Sequence, residues 1–225
     1  METTLHRQLK DLYCSDESQL EIAVDGYRID AVIGELLIEV QCASLSAIRD
    51  KVKTLVQRHD VLIVKPIAAR KFLIKRKRRN GKVQSSRYSP TRRTVFHLFD
   101  ELVHFVTVFP HPRLTLEIVM TEQEEHRISR RKRRWRSKDY RVEDRKLVSV
   151  VDSIRLRTCE DLLALLPSDL PTSFSTEELA NQAGIPRWLA QKAAYCLRKT
   201  EAVAVVGKRG NALLYQKTRR DRAAA

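Results

Sequence analysis

Between Glu21 and Gln41 three carboxylates, Glu21, Asp30 and Glu39, fall on what read as three successive short strands, among apolar, often β-branched neighbours: Ile22, Ile29, Ala31, Ile38 and Val40. A carboxylate inside an apolar strand is costly to bury unless it is paired, protonated or bound to a cation. Three of them brought together by hairpins would repel one another, and a divalent cation such as Mg²⁺ or Mn²⁺ is the usual remedy. The plainer reading is that they are the exposed alternates of a strand meander, because strict alternation also places polar residues there.

The elements that must position these residues follow from local patterns. Residues 2–13 predict an amphipathic helix with Leu5, Leu9 and Leu12 on one face and His6, Lys10 and Tyr13 at its edge. Leu20 to Val24 and Tyr27 to Ile33 read as strands joined at Asp25-Gly26, a two-residue hairpin signal. Gly34-Glu35 is a second tight turn, and Leu36 to Gln41 is the third strand. Ser44 or Ser46 caps a helix from about Ala47 to His59, and Val61 to Val64 reads as a buried strand that Pro66 ends. A helix between the third and fourth strands implies a crossover that makes them parallel.

The next segment predicts a hairpin, Phe72 to Arg78 and Lys82 to Ser86, around Asn80-Gly81. It carries Lys75, Lys77 and Arg79 among other cations, and reads either as an arm against phosphates or as a solvated edge. A helix from about Thr94 to Val108 and strands at Leu114 to Met120 and Lys146 to Leu156 follow. Arg130 to Lys138, with Arg131, Arg133 and Arg134 around Trp135, is a basic loop or arm. Thr158 with Asp161 opens a short helix, and Pro167 to Thr172 is the best domain boundary.

Beyond it, Ser175 and Glu178 form a capping box, with Phe174 and Leu179 as the matching apolar staple. Pro186 opens a second helix to about Lys199, and two short strands flank the turn from Gly207 to Asn211. Helix, tight turn, helix and a β-hairpin with a basic tip is the pattern of a winged helix-turn-helix.

Composition narrows the partner. The 225 residues hold 43 Lys+Arg against 28 Asp+Glu, a formal net charge of +15. That balance favours a polyanion, with nucleic acid first. The four cysteines, Cys14, Cys42, Cys159 and Cys196, form no CxxC pair, which argues against structural zinc and for reduced thiols in a cytoplasmic protein. No apolar run is long enough to span a bilayer, and the N-terminus has no signal-peptide pattern.

The helix–βββ–helix–β order, with Asp30 and then Glu39-Val-Gln41, resembles the PD-(D/E)xK nuclease-like superfamily over roughly residues 2 to 65. The resemblance implies an α/β fold: an αβββαβ restriction-endonuclease-like core with a mixed sheet over 1–67, extended by α+β structure over 68–166. By position, Asp30 and Glu39 would bind the metal, with Glu21 as an additional acidic residue. Gln41 stands where that family usually has lysine; glutamine can orient a water or bind a phosphate oxygen but brings no positive charge. Lys10 and Lys51 are possible substitutes, and His6 is a further candidate base, although a lone histidine on a helix edge is more often structural.

Residues 172–217 look like a winged helix, followed by a flexible tail over 218–225. That likeness implies major-groove contact by the second helix. Arg187, Gln191, Lys192, Arg198 and Lys199 lie on or beside it, and Lys208 and Arg209 lie on the wing. Winged helices also serve as protein-interaction modules. The whole chain resembles bacterial proteins, without an assigned function, that pair these two parts. The resulting expectation is a metal-dependent phosphodiesterase acting on nucleic acid, duplex DNA first. The alternatives are a non-catalytic DNA-binding protein on a degenerate nuclease scaffold and a protein-docking winged helix.

Overall fold

A computed structural model describes residues 3–130 and 138–218. Arg131, Arg133, Arg134 and Trp135 of the basic run, and all but Thr218 of the expected tail, therefore lie outside the described residues. The chain is α/β, built on a large mixed sheet.

It opens with α1 (Thr4–Tyr13), capped by the Thr3 side chain. Leu5 and Leu9 are buried as expected, but Leu12 is 59% exposed. The buried arc runs instead through Leu5, Leu9 and Lys10, which leaves Leu12 at its border. Strands β1 (Leu20–Val24), β2 (Tyr27–Ile33) and β3 (Leu36–Val40) follow as a meander. Asp25 and Gly26 take the positive φ of the first hairpin, 49° and 80°, which glycine accommodates at no steric cost. A short 3-10 turn over Leu45–Ile48 leads into α2 (Arg49–Leu55), shorter than the sequence pattern implies.

Strand β4 (Asp60–Arg76) is the chief departure from expectation, since it runs straight through Pro66. It pairs in parallel with β3 over 60–64, and in parallel with β6 (Leu114–Ser129) from Val61 to Arg76. The Val64 carbonyl accepts from Gln41 N on the β3 side at 2.9 Å. Backbone direction alternates along a strand, so the ring nitrogen of Pro66 faces that same side, just beyond the end of β3. A missing N–H costs nothing where no partner strand remains.

Further along, β4 pairs antiparallel with β5 (Val83–Tyr88), from Phe72↔Tyr88 to Arg76↔Val83. The expected hairpin is there, but Asn80 (φ 56°), not Gly81, takes the left-handed conformation. Residues 65–71 of β4 thus lie between two partners on one edge, a gap in the sheet. The expected helix over 94–108 condenses to a 3-10 turn (Val95–His97) and α3 (Leu98–Leu102), followed by turns. Strands β6 and β7 (Tyr140–Leu156) form a long antiparallel hairpin, well beyond the expected bounds. The sheet order is β1-β2-β3-β4-β6-β7. Val148 and Val150 on the edge strand β7 are 57% and 44% exposed.

Helix α1 covers one face, where Leu5 and Leu9 meet Ala31, Ile38, Val40, Val64 and Val119. On the other face, Ile63, Leu116 and Ile118 belong to a core shared with α2, α3 and α4 (Cys159–Ala164). The same core continues into β8 (Ser173–Phe174), α5 (Thr176–Ala183) and α6 (Arg187–Lys199), and into β9 (Val203–Arg209) and β10 (Ala212–Lys217). These last strands form a small sheet in the order β8-β10-β9. The Ser175–Glu178 capping box forms as expected, with Ser175 N donating to Glu178 at 2.7 Å, and Phe174 and Leu179 are fully buried beside it. Helix α6 docks on α3: Lys192 pairs with Asp100, the Cys196 thiol meets the Phe99 carbonyl, and Trp188 stacks edge-on against His97.

Glu125 on β6 ties three long strands together. It takes Lys71 of β4 at 3.3 Å, Arg127 at 2.6 Å and Arg145 of β7 at 3.3 Å. Burial alone would raise its pKa, but these three cations hold it down to about 2. Its stabilising contribution is therefore complete above the ordinary glutamate pKa and is lost as pH falls toward 2. Glu125→Gln should cost about 3 kcal/mol at pH 7, since it removes the buried carboxylate that three half-buried cations share. Denaturant melts of both proteins should differ by that amount at pH 7 and converge near pH 2; a gap of equal size at both pH values would refute the assignment.

Candidate active site

Pairing between β2 and β3 runs from Ile33↔Leu36 to Ala31↔Ile38. Continued by one position, the register sets Asp30 opposite Glu39. There the ladder stops, and Val40 N donates to Asp30 Oδ2 at 2.8 Å. The aspartate side chain thus satisfies an amide that the missing ladder would leave bare. From α1, His6 Nε2 lies 3.2 Å from the same Oδ2. From α2, Lys51 Nζ reaches Glu39 Oε2 at 2.7 Å and the Arg28 carbonyl at 2.6 Å. An open hollow of about 430 Å³ at this strand end is lined by His6, Asp30, Glu39, Gln41, Cys42 and Arg145.

Glu39 is the electrostatically strained member. Burial pushes its pKa up, Lys51 opposes that, and the negative charge of Asp30 adds to the rise. Gln41 is 9% exposed and accepts a hydrogen bond from Ala43 N at 2.9 Å through its side-chain oxygen, which leaves its NH₂ as the group it can offer.

Two sequence-derived candidates are engaged with each other. Glu21 adopts a positive φ of 57°, and its carboxylate is held by Lys10 and Arg28. The β1–β2 register sets Glu21 opposite Asp30, but its carboxylate is engaged by these two cations, and Lys10 is occupied with it. Among the described residues no group of three or more His, Cys, Asp or Glu side chains is arranged to hold a metal. The three-carboxylate cluster expected from the sequence is therefore a pair.

A second hollow of about 160 Å³ adjoins the first and shares Cys42 and Arg145 with it. Lys65, Lys71 and Arg93 line it. Sequence reasoning counted Lys71 only among the cations of the basic hairpin and missed Lys65 and Arg93. The one available signal was Lys65 itself, a lysine directly after the apolar run of β4 that proves only 4% exposed.

The basic candidates differ in their freedom. Lys75 pairs with Asp139 at 2.6 Å and Arg79 with Glu143 at 3.4 Å, so the β4–β5 arm is partly neutralised against the β6–β7 hairpin. Arg209 pairs with Glu178 at 2.9 Å, and Lys192 is taken by Asp100. Arg187, Gln191, Arg198 and Lys208 are exposed. No helix of the described residues is long and apolar enough to cross a membrane, and no disulfide joins the four cysteines.

The family model described as "Domain of unknown function (DUF8091)" matches residues 3–157, which ends just after β7. An "Uncharacterized protein" of Treponema pallidum (strain Nichols) is 32% identical over 218 residues, covering 96% of this chain and 85% of the relative. That second match necessarily extends into the C-terminal helices. No solved structure matches the chain.

The Glu39 environment yields two opposite expectations. Lys51→Gln removes the cation and should raise the Glu39 pKa, whereas Asp30→Asn removes the like charge and should lower it. Carboxyl ¹³C titration by NMR reads both; shifts of the same sign in the two variants would contradict the assigned couplings.

Proposed function

The chain belongs to the DUF8091 family, and for it we propose a metal-dependent nucleic-acid phosphodiesterase with Asp30 and Glu39 at its centre. The observation that carries this reading is the pair itself: two carboxylates in register on adjacent strands, lining one hollow, where the ladder ends. Mg²⁺ usually keeps several waters and needs only one or two protein carboxylates beside substrate phosphates, so a pair fits it without Glu21. The upward push on Glu39 from burial and from Asp30 is what a cation would relieve. The donors are hard oxygens, which suit Mg²⁺ or Mn²⁺.

When bound, the ion would polarise a phosphate and lower the pKa of an attacking water. The remaining work falls to the chain's own groups. Lys51 opposes the upward push on the Glu39 pKa and orients its carboxylate, and can offset charge that develops on the phosphate. His6 fixes the Asp30 carboxylate from the α1 side. The Gln41 NH₂ can hold a phosphate oxygen or a water but cannot supply charge.

The helix, strand, two helices and hairpin from α4 to β10, with the order β8-β10-β9, support reading the C-terminal module as a winged helix. Its exposed Arg187, Gln191 and Arg198 then serve duplex DNA, and the net charge of +15 supplies the general attraction to phosphate. With Gln41 in place of lysine, a second reading stands beside the first: DNA binding without cleavage, on the same scaffold.

The experiment offers plasmid, duplex, bubble and single-stranded substrates in Mg²⁺ or Mn²⁺. The wild-type chain should cut at least one of them, Asp30→Ala none, and Lys51→Met about 10²–10³-fold more slowly. Cleavage equal to the Asp30→Ala control on every substrate removes the enzyme reading. Salt-sensitive DNA affinity without calorimetric Mg²⁺ binding would then select the second.

A further inference from the structure

The gap in the β4 edge is filled by a pocket rather than by a strand. Pairing to β3 ends at Val64 and pairing to β5 begins at Phe72. The 160 Å³ hollow sits between them, with Pro66, Ile67 and Ala68 of β4 in its wall.

Its charged groups are mostly cationic: Lys65, Lys71, Arg93 and Arg145 line it against one carboxylate, Glu101, with His97 and Gln123 beside them. The carboxylates that touch these cations are Glu101, 3.6 Å from Lys65, and Glu125, which binds Lys71, Arg145 and Arg127. Lys65, Lys71, Arg93, Arg127 and Arg145 against Glu101 and Glu125 makes five cations to two carboxylates. Arg93 is exposed and makes no ion pair or side-chain hydrogen bond among the described residues. Burial, first, pushes the Lys65 and Lys71 ammonium groups down, and Arg93 adds to the fall in both. Lys65 is held by Glu101 and the Ala43 carbonyl, but a cluster whose only task was to satisfy Glu101 and Glu125 would not need Arg93.

Position connects this pocket with the carboxylate pair. The parallel register Val40↔Val64, continued by one residue, sets Lys65 beside Gln41. Neighbouring strands are about 4.8 Å apart. The two hollows share Arg145, whose planar guanidinium can face both.

The geometry points to a phosphate-binding site in this hollow, holding the phosphate next to the one placed at Asp30 and Glu39. The identity of that phosphate as part of a nucleic acid rests on the phosphodiesterase reading above; the anion site itself does not. Arg93 and Arg145 supply forked donors, Lys65 and Lys71 point charges, and Gln123 a neutral wall.

Calorimetry of the full chain with inorganic phosphate, in chloride buffer without metal, tests the site directly. Saturable binding is expected, weakened about tenfold or more by Arg93→Ala, because a hydrogen bond to a charged group is lost. Arg92→Ala, its exposed neighbour outside the hollow, should leave it unchanged. Arg93 lies on an exposed loop, and an unchanged melting temperature certifies the fold. Phosphate binding that is absent, or equal in wild type and Arg93→Ala, overturns the proposal. Oligonucleotides with and without a 5′-phosphate separate the sources. A terminal phosphate is the occupant if only the phosphorylated strand gains affinity through Arg93, and an internal one if both strands lose equally in Arg93→Ala. Phosphate binding without cleavage of any substrate leaves the site and removes the phosphodiesterase reading. Cleavage without phosphate binding does the reverse.

Discussion

Strand β4 is gripped in parallel on both sides near its start, by β3 and by β6, and in parallel by β6 along the rest of its length. Parallel neighbours need crossovers, so α2 and the α3 region are drawn onto the same face, and the apolar residues of β4 are sealed on both sides. Because Pro66 turns its bare nitrogen to a side without a neighbour, the strand outlasts β3. The length of β4 then sets the lengths of β6 and β7, and it leaves the opening in which the cations gather.

The candidate site depends on the same kind of interruption. Where a ladder stops, backbone amides are left over and side chains stand clear of the pleat. Asp30 answers one such amide while facing Glu39, His6 and the hollow. This dual duty explains how an aspartate persists among Ile29, Ala31 and Val40. It is part of the strand ending, and its second oxygen remains available for other chemistry. Lys51 plays the corresponding part for Glu39, since it is anchored to the Arg28 carbonyl as well.

Local chemistry was the legible part of this sequence. The Asp25-Gly26 hairpin, the capping boxes at Thr158 and Ser175 and the Phe174–Leu179 staple depend on neighbours within a few residues, and each forms as read. The juxtaposition of Asp30 and Glu39 was legible for the same reason, because one tight turn fixes their register. The engagement of Glu21 by Lys10 was not legible, because Lys10 sits on a helix whose docking no spacing rule reveals. Pro66 was misread because a proline's cost depends on which edge it faces, and that is set by a strand far away in sequence. The Lys65, Lys71, Arg93 and Arg145 group was illegible for the same cause: it is assembled by sheet order.

Strand β7 carries one more consequence. On its outer side no strand of the described residues pairs with it, and Val142, Val148, Val150 and Val151 are exposed along it. A flat ribbon of that kind would invite copies of the chain to stack edge to edge. Its ladder with β6 is broken by irregularities at Met120/Thr121, Glu122/Gln123 and His126/Arg127, which coil the ribbon away from flatness. Arg141, Arg145, Lys146 and Arg155 share the strand with Glu143, Asp144 and Asp152, and charged side chains along an edge strand disfavour the dry contact a second copy would need. The longest hairpin of the molecule thus carries its own protection against aggregation.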